Sequence, residues 1–493
     1  LSQFALLILG FFSQRAMNLY MGAELVGMNG VISNVINILS VTELGISTAI
    51  VYHLYGALAR KDEAEIASLM NLYRKAYHVF AVLVFAAGMA VLPFIHLFMK
   101  NNSYSLSYIR VLYAMWLVRT VLSYLLTYRK SLLIADQKEY IASITGLILN
   151  VVSYLAIILL VTWEQNYLLA LGIGTVTEVV LNIWISWYVE QKYPFLRQRR
   201  KEKSTSSLTK RIVRDLKSLF ISRISEKMLY CTDNLIISGF IGVGTVGRYA
   251  NYCMITQAIS NILTILANTI QPTVGDYFTE KNRQRNYEIL RQLTFGFFCI
   301  ASVVSVGLFS LITPFVRDIW LGPSYELGWG ITVFCIVVLL VRIMGLPLSL
   351  VMGVTGLFEK EKNVGASSAL LNLIVSLALV KPYGMAGVLL GTLLSYLLQI
   401  LYRYIIYFRD FLEMPGEALR YAQDIGEYLA VIAGEVLLMQ KIVPLIYGAG
   451  GMLLFCVCFL LCIAIPLLLD LVIFGRGWRL QSIVTMVKGM RKA

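Results

Sequence analysis

Apolar stretches of about 20 residues, parted by short polar segments, recur from one end of this chain to the other. A bilayer core about 30 Å thick calls for helices of that length, and only helices or closed barrels satisfy every backbone group inside it. The pattern predicts fourteen spans, at 2–21, 26–52, 76–99, 108–128, 141–162, 167–189, 218–241, 248–273, 290–315, 329–355, 364–380, 384–407, 427–447 and 450–473. The fold class is therefore all-α, a polytopic membrane protein with about 14 transmembrane helices. Position 1 is Leu rather than Met, so a short piece is expected to precede it. No small-residue cleavage site stands near Gly22, and the first span is expected to be an anchor rather than a signal peptide.

Polar positions inside the spans carry the chemistry. In the seventh span Ser222, Arg223, Glu226, Lys227, Tyr230, Asp233 and Asn234 share one helical face. An ion near a helix centre costs about 2.5–3.5 kcal/mol, so four ions facing lipid would cost about 10 kcal/mol. That face is expected to look onto a polar cavity. The second and eighth spans carry uncharged stripes at helical spacing: Asn29, Ser33, Asn37, Ser40 and Ser47 in one, Gln257, Ser260, Asn261, Thr264, Asn268 and Gln271 in the other. Such stripes line cavities or glue helices together by hydrogen bonds.

Five cations fall within spans: Arg15, Arg119, Arg223, Lys227 and Arg342. Arg15 adjoins Gln14 and Asn18 in a polar patch on the first span. Arg119 and Arg342 lie near mid-span with no acidic residue one turn away. Facing each other, they would make an anion site, because guanidinium groups bind phosphate oxygens bidentately and keep their charge when desolvated. The alternative is that each pairs with a distant carboxylate such as Glu43 or Glu178 for packing. For Arg223 and Lys227 the local partners Glu226 and Asp233 offer the same alternative. The carboxylates Glu43, Glu178, Glu226 and Asp233 could carry a coupling proton or sodium ion, or serve as fixed counter-ions.

Composition agrees with a membrane protein: 58% hydrophobic residues, 14% charged and a mean hydropathy of +0.73. The net charge of +14, from 42 basic and 28 acidic residues, would suggest nucleic acid in a soluble chain. Placement argues otherwise. Most of the basic residues fall in connections on one side of the predicted topology, densest in the linker Lys192 to Lys217, and the positive-inside rule makes that side and both termini cytoplasmic. A linker facing phospholipid is expected, and no nucleic-acid partner. The seven cysteines all lie in spans, no CxxC occurs, and there are only three histidines, so no metal and no disulfide is expected. No nucleophile and base pair or Gly-rich phosphate loop appears, and the predicted external connections are short, which argues against an enzyme such as a glycosyl polymerase.

The chain also repeats itself at an offset of 217 to 223 residues. Val26-Gly27 recurs as Val246-Gly247, Leu117-Val118-Arg119 as Leu340-Val341-Arg342, Leu149-Asn150 as Leu371-Asn372, and Gly174-Thr175 as Gly391-Thr392. The turn Asp136-Gln137-Lys138-Glu139 corresponds to Glu359-Lys360-Glu361-Lys362. The expected organisation is a six-helix lobe at 1–190, a basic linker at 191–217, a second, parallel six-helix lobe at 218–408, an amphipathic interfacial connection at 409–426, two additional helices at 427–474 and a basic tail at 475–493.

Three segments carry a family likeness: GMNG at 27–30 with LSVTELGISTAIVYHLY at 39–55, NLYRKAY at 71–77, and YRKSLLIADQK at 128–138. They resemble Wzx-type polysaccharide repeat-unit flippases of the multidrug/oligosaccharidyl-lipid/polysaccharide exporter superfamily, most specifically over residues 15–140. The resemblance implies two six-helix lobes in a V around a cationic cavity, with alternating access. It implies an undecaprenyl-pyrophosphate-linked glycan as the partner, moved across a bacterial cytoplasmic membrane, with membrane lipids, a polysaccharide polymerase and chain-length machinery around it. The family's cationic cavity maps onto Arg15, Arg119, Arg223 and Arg342; the polar faces and stripes of the spans add Lys227 as a further cation and Asn18, Asn37, Tyr230, Asn234, Gln257, Asn261 and Asn268 as polar lining. Fourteen spans match the lipid II flippases of the superfamily, in which the extra pair forms a groove for the lipid tail; a cation-coupled multidrug exporter is the remaining reading within transport.

Overall fold

A computed structural model describes residues 2–40, 46–197, 227–228, 231–278, 282–357, 360, 362–448 and 450–475. Among them are fifteen α-helices and no strand. Eleven helical segments are long and apolar enough to cross a membrane. The chain falls into two compact units, Leu1–Ala250 and Asn251–Ala493.

The first unit holds α1 (Ser2–Ala16), α2 (Gly22–Leu39), α3 (Ile46–Ala59), α4 (Glu63–Val91), α5 (Leu106–Thr127), the short α6 (Lys130–Ala135), α7 (Glu139–Trp163) and α8 (Tyr167–Lys192), then helical residues 231–240 and the start of α9 (Val243–Tyr277). Three of the fourteen expected spans are described only in part or with a change of helix type. The first is α1 continued by a π-helical turn, Met17–Met21. The second is not described as one helix: α2 ends at Leu39, α3 begins at Ile46, and residues 41–45 lie outside the described residues. The seventh lies largely outside them as well. α4 begins thirteen residues before the expected span at 76, because the Asp62 carboxylate caps it, accepting from the backbone N–H of Ala64 and Glu65 at 3.1 and 2.9 Å.

Tyrosines of the NLYRKAY segment, one turn apart on α4, organise the interior of this unit. The Tyr73 hydroxyl donates to that of Tyr77 (3.0 Å) and accepts from Ser131 on α6 (3.0 Å), and Tyr77 meets Tyr124 of α5 edge-on at 6.0 Å. The turn after α6 is tied to the end of α8 by the Asp136 carboxylate, which accepts from Lys138 and from the Tyr193 hydroxyl. Burial pushes that carboxyl up, but the two hydrogen bonds outweigh it and hold it below its ordinary value. The expected lobe boundary at 191–217 divides the sequence repeats, whereas contacts divide the chain after Ala250. The reason lies in the loop after α4: Lys100 and Asn101 bind the carbonyls of Phe240 and Ile241 at 2.9 and 3.0 Å, and the Lys100 carbonyl accepts from Val243 N–H at 3.1 Å.

The second unit holds the rest of α9, α10 (Arg283–Pro314), α11 (Trp329–Val354), α12 (Lys362–Tyr383), α13 (Met385–Ile405), α14 (Pro415–Tyr447) and α15 (Met452–Phe474). The expected connection at 409–426 is not a separate element. A π-helical stretch, Ile406–Leu412, prolongs α13, and Pro415, at the first turn of α14, starts a helix of 33 residues that runs on through the thirteenth span. Its beginning is locked into a buried cluster of Tyr287, Leu290, Leu348, Tyr407, Phe408 and Tyr421. Beside the cluster Arg291 Nε donates to Asp424 Oδ2 at 2.6 Å, with side chains only 21% and 8% exposed. Removing one partner of a buried pair leaves an uncompensated charge at a cost of about 3–5 kcal/mol. Asp424→Ala is therefore expected to lower the thermal unfolding midpoint of the detergent-solubilised protein by several degrees, and Asp424→Asn, which keeps a hydrogen-bond acceptor, by less.

Candidate functional site

Three helices of the first unit and Lys227 enclose a cavity of about 300 Å³. α2 contributes Ser33, Ile36, Asn37 and Ser40, α5 contributes Trp116, Arg119, Thr120, Ser123 and Tyr124, and α8 contributes Glu178. The α2 residues belong to the polar stripe of the second span, so three of its five members face one space. Asn37 Nδ2 donates to Ser33 Oγ at 3.4 Å. Asn29, higher on the same stripe, accepts from Trp116 Nε1 at 2.8 Å and from the Tyr167 hydroxyl at 2.7 Å, which ties α2 to α5 and α8.

Arg119 is the centre of the cavity wall. Its Nε donates to Glu178 Oε2 at 2.6 Å, its guanidinium carbon lies 5.2 Å from the Trp116 ring centre, and both ionic side chains keep about 30% of their surface exposed. The packing alternative weighed from the sequence thus describes one side of Arg119, since α8 supplies the carboxylate that the arginine's own helix lacks. The open remainder of the pair and the Lys227 ammonium border the same space. Among the described residues of the wall, two cations stand against one carboxylate, an excess of one positive charge, and hydroxyls, an amide, two aromatic rings and Ile36 make up the rest. Such a surface suits an anionic group with hydroxyl-bearing substituents: guanidinium and ammonium for the charge, Ser33, Asn37, Ser40, Thr120 and Ser123 for the hydroxyls.

The second unit repeats parts of this construction with other chemistry. Asn372 Nδ2 donates to Thr392 Oγ1 at 2.9 Å, joining two of the repeat landmarks. A Cβ built on Gly391 would stand 2.4 Å from Ser376 Oγ, as one on Gly174 would stand 3.5 Å from Ser153 Oγ, so the same glycine and serine meet in both copies. At the offset of 217 that relates the two glycines, Glu178 corresponds to Ser395. Arg342 lies 5.5 Å from the Tyr396 ring centre.

Of the residues expected to form a site, the cavity gathers Arg119, Lys227, Asn37 and Glu178. Arg15 is exposed and off the cavity wall, and Asn18 is buried, donating back to the Gln14 carbonyl at 2.8 Å. Gln257 and Asn261 bond to each other along α9 at 2.9 Å, Asn268 is exposed, Asp233 is buried, and Asn234 is half-buried. Arg223, Glu226, Tyr230 and Glu43 lie outside the described residues. Sequence reasoning passed over the α5 wall. Trp116, Thr120 and Ser123 stand at i−3, i+1 and i+4 of Arg119, and helical spacing around that arginine would have found two of them.

Residues 1–278 match the family described as polysaccharide biosynthesis protein. No curated protein matches the chain. Among solved structures, the lipid II flippase MurJ in its inward closed conformation is similar in fold: 15% identity, 96% of this chain and 98% of that one, TM-score 0.69. An inward-facing multidrug resistance MATE family transporter of the MOP superfamily aligns at 13% identity over 83% of this chain and 94% of its own, TM-score 0.64. The MATE multidrug transporter DinF-BH aligns at 15% identity over 83% and 93%, TM-score 0.58.

Proposed function

Because this chain belongs to the polysaccharide biosynthesis protein family, we propose that it is a flippase that carries an undecaprenyl-pyrophosphate-linked oligosaccharide repeat unit across the bacterial cytoplasmic membrane. The observation that carries the reading is the cavity in which Arg119, Lys227 and Glu178 stand among Ser33, Asn37 and Ser40. The cations take the pyrophosphate, the hydroxyl and amide stripe takes the sugar, and the prenyl chain stays in lipid. Movement is by alternating access, no covalent bond is made or broken, and both termini are cytoplasmic. The product feeds capsule or exopolysaccharide assembly through a polymerase and chain-length machinery.

Lipid II is the second reading. What favours it is that the similarity to the lipid II flippase extends over 96% of this chain, against 83% for the two MATE transporters. Both substrates present a prenyl pyrophosphate to the same cations and differ in the sugar-bearing part. The test uses proteoliposomes containing the purified full chain and a fluorescent undecaprenyl-pyrophosphate oligosaccharide, with an impermeant quencher reporting the leaflet. Time-dependent loss of protection for the oligosaccharide, with little for labelled lipid II, is the expected result. Movement of lipid II alone would establish the second reading. Movement of a cationic dye with neither lipid would make the chain a drug exporter.

A further inference from the structure

The last two helices carry two carboxylates that the cavity of the first unit does not use. Glu435 on α14 and Asp470 on α15 are each 3% exposed, and α10, α14 and α15 pack against one another around them. Glu435 Oε2 accepts from the Ser302 hydroxyl of α10 at 2.6 Å. Its Oε1 and both carboxylate oxygens of Asp470 have no hydrogen-bond partner among the described residues. Asp470 lies one turn before Phe474, which meets Phe298 of α10 at 5.5 Å, and Phe298 lies one turn before Ser302, so the packing brings Asp470 to the level of the Ser302–Glu435 pair.

Nothing described nearby neutralises them. α10 and α14 run parallel in register, since Arg291 with Asp424 and Ser302 with Glu435 are both 133 residues apart. The Arg291–Asp424 pair is therefore eleven residues away along both helices, about 16 Å. On that side the space is closed by aromatic rings: Phe298 stacks on Tyr428 at 4.5 Å, and Phe474 meets Phe295 and Phe298 at 5.6 and 5.5 Å. Toward the other end, the Arg317–Asp318 pair with Tyr447 stands twelve residues beyond Glu435, about 18 Å along α14. Among the described residues the titratable group placed against both carboxylates is the Cys299 thiol of α10, which is not a cation.

Two ionised carboxylates cannot share such a space: each loses its hydration, and each repels the other. One proton resolves both problems. Bound to one of the orphaned oxygens it removes one of the two charges, and with it their repulsion, and leaves a single negative charge, which on Glu435 the Ser302 hydroxyl supports.

We propose that Glu435 and Asp470, with Ser302, form a proton-binding site between α10, α14 and α15, holding one proton between the two carboxylates. Uptake adds a proton from water to a carboxylate oxygen, and release returns it; no other bond changes. The loaded site keeps the last helix pair docked on α10. The empty site places two negative charges there and pushes α15 away. The inference goes beyond the transport reading and stands whichever molecule the cavity carries.

The test is infrared difference spectroscopy of the full chain in lipid bilayers between about pH 6 and about pH 9. Expected is a protonated-carboxyl stretching band that shifts in deuterium oxide, falls as pH rises, disappears in Asp470→Asn and in Glu435→Gln, and survives in Glu178→Gln. Both substitutions mimic the protonated group, so folding should survive them, and the wild-type band with its isotope shift reads the proton without any variant. Absence of the band in the wild type overturns the proposal, as does its persistence in both variants. Loss of the band when sodium replaces choline at fixed pH would overturn the proton in favour of a sodium ion.

Discussion

Arg119→Ala is expected to abolish surface polysaccharide in a strain whose own copy of this gene is deleted, while the variant reaches the membrane in normal amount. The argument is charge and geometry at the cavity wall. Wild type presents two cations against the Glu178 carboxylate; without the guanidinium the wall is neutral, and Glu178, 2.6 Å from the missing group, faces the incoming phosphate. Each charged hydrogen bond contributes about 1.5–3 kcal/mol, so losing a bidentate pair lowers transport by at least about a hundredfold. Arg119→Lys keeps the charge but not the planar fork, and an intermediate loss is expected. Glu178→Gln should act in the opposite direction on affinity, raising the excess positive charge from one to two, binding the anion more tightly and releasing it more slowly. Arg342→Ala in the second unit is expected to act in the same direction as Arg119→Ala. The measurements are polymer on the cell surface, protein in the membrane fraction and initial rates in proteoliposomes. Wild-type polymer in Arg119→Ala would remove this arginine from the site.

What could be read from the chain was whatever has a period. Spans of about 20 apolar residues, the stripe Ser33, Asn37, Ser40 and the repeat offset all survive as order along a line, and they reappear as helices, a cavity wall and matched contacts. Distance across helices does not survive. Glu178, 59 residues from Arg119, could be named beside Glu43 only as one of several distant carboxylates, and the folding of α8 beside α5 makes the pair. The same limit hid Ser302 from Glu435, 133 residues away, although Glu435 and Asp470 are plain in the sequence. The start of α14 was legible only as a mixed polar and apolar stretch before a span; that Pro415 opens a helix continuous with that span, and that Tyr421 and Asp424 find partners in the second unit, comes from the fold. Val26-Gly27 and Val246-Gly247 were visible as a repeat and gave no hint that they touch.

Gly27→Val is expected to leave less than about a tenth of the normal protein in the membrane fraction, and Gly27→Ala to be folded poorly and inactive in transport. At Gly27 an added Cβ would lie 1.9 Å from the Val243 carbonyl oxygen and 2.9 Å from Gly247 N. At Gly247 it would lie 1.8 Å from the Ala23 carbonyl oxygen. The obstacle in both directions is backbone, which has no rotamer to change, so the start of α9 would have to retreat from α2 by more than 1 Å. Small residues permit such an approach in membrane helices, and nothing larger than hydrogen fits here. α2 also carries Ser33, Asn37 and Ser40, so a helix pushed aside at Gly27 displaces the polar wall of the cavity along with its own packing. Gly30 provides the control, three residues on in the same helix: its nearest contact would be Val246 Cγ1 at 3.9 Å, an ordinary separation. There the gain in helix propensity, about 1 kcal/mol, should make Gly30→Ala neutral or slightly stabilising. Thermal unfolding in detergent, membrane abundance and transport would be compared for the two alanine variants. Equal stability and activity would mean that the close crossing at Gly27 and Gly247 does not hold the first unit together, whereas a loss confined to Gly27→Ala isolates the crossing from any general effect of alanine in this helix.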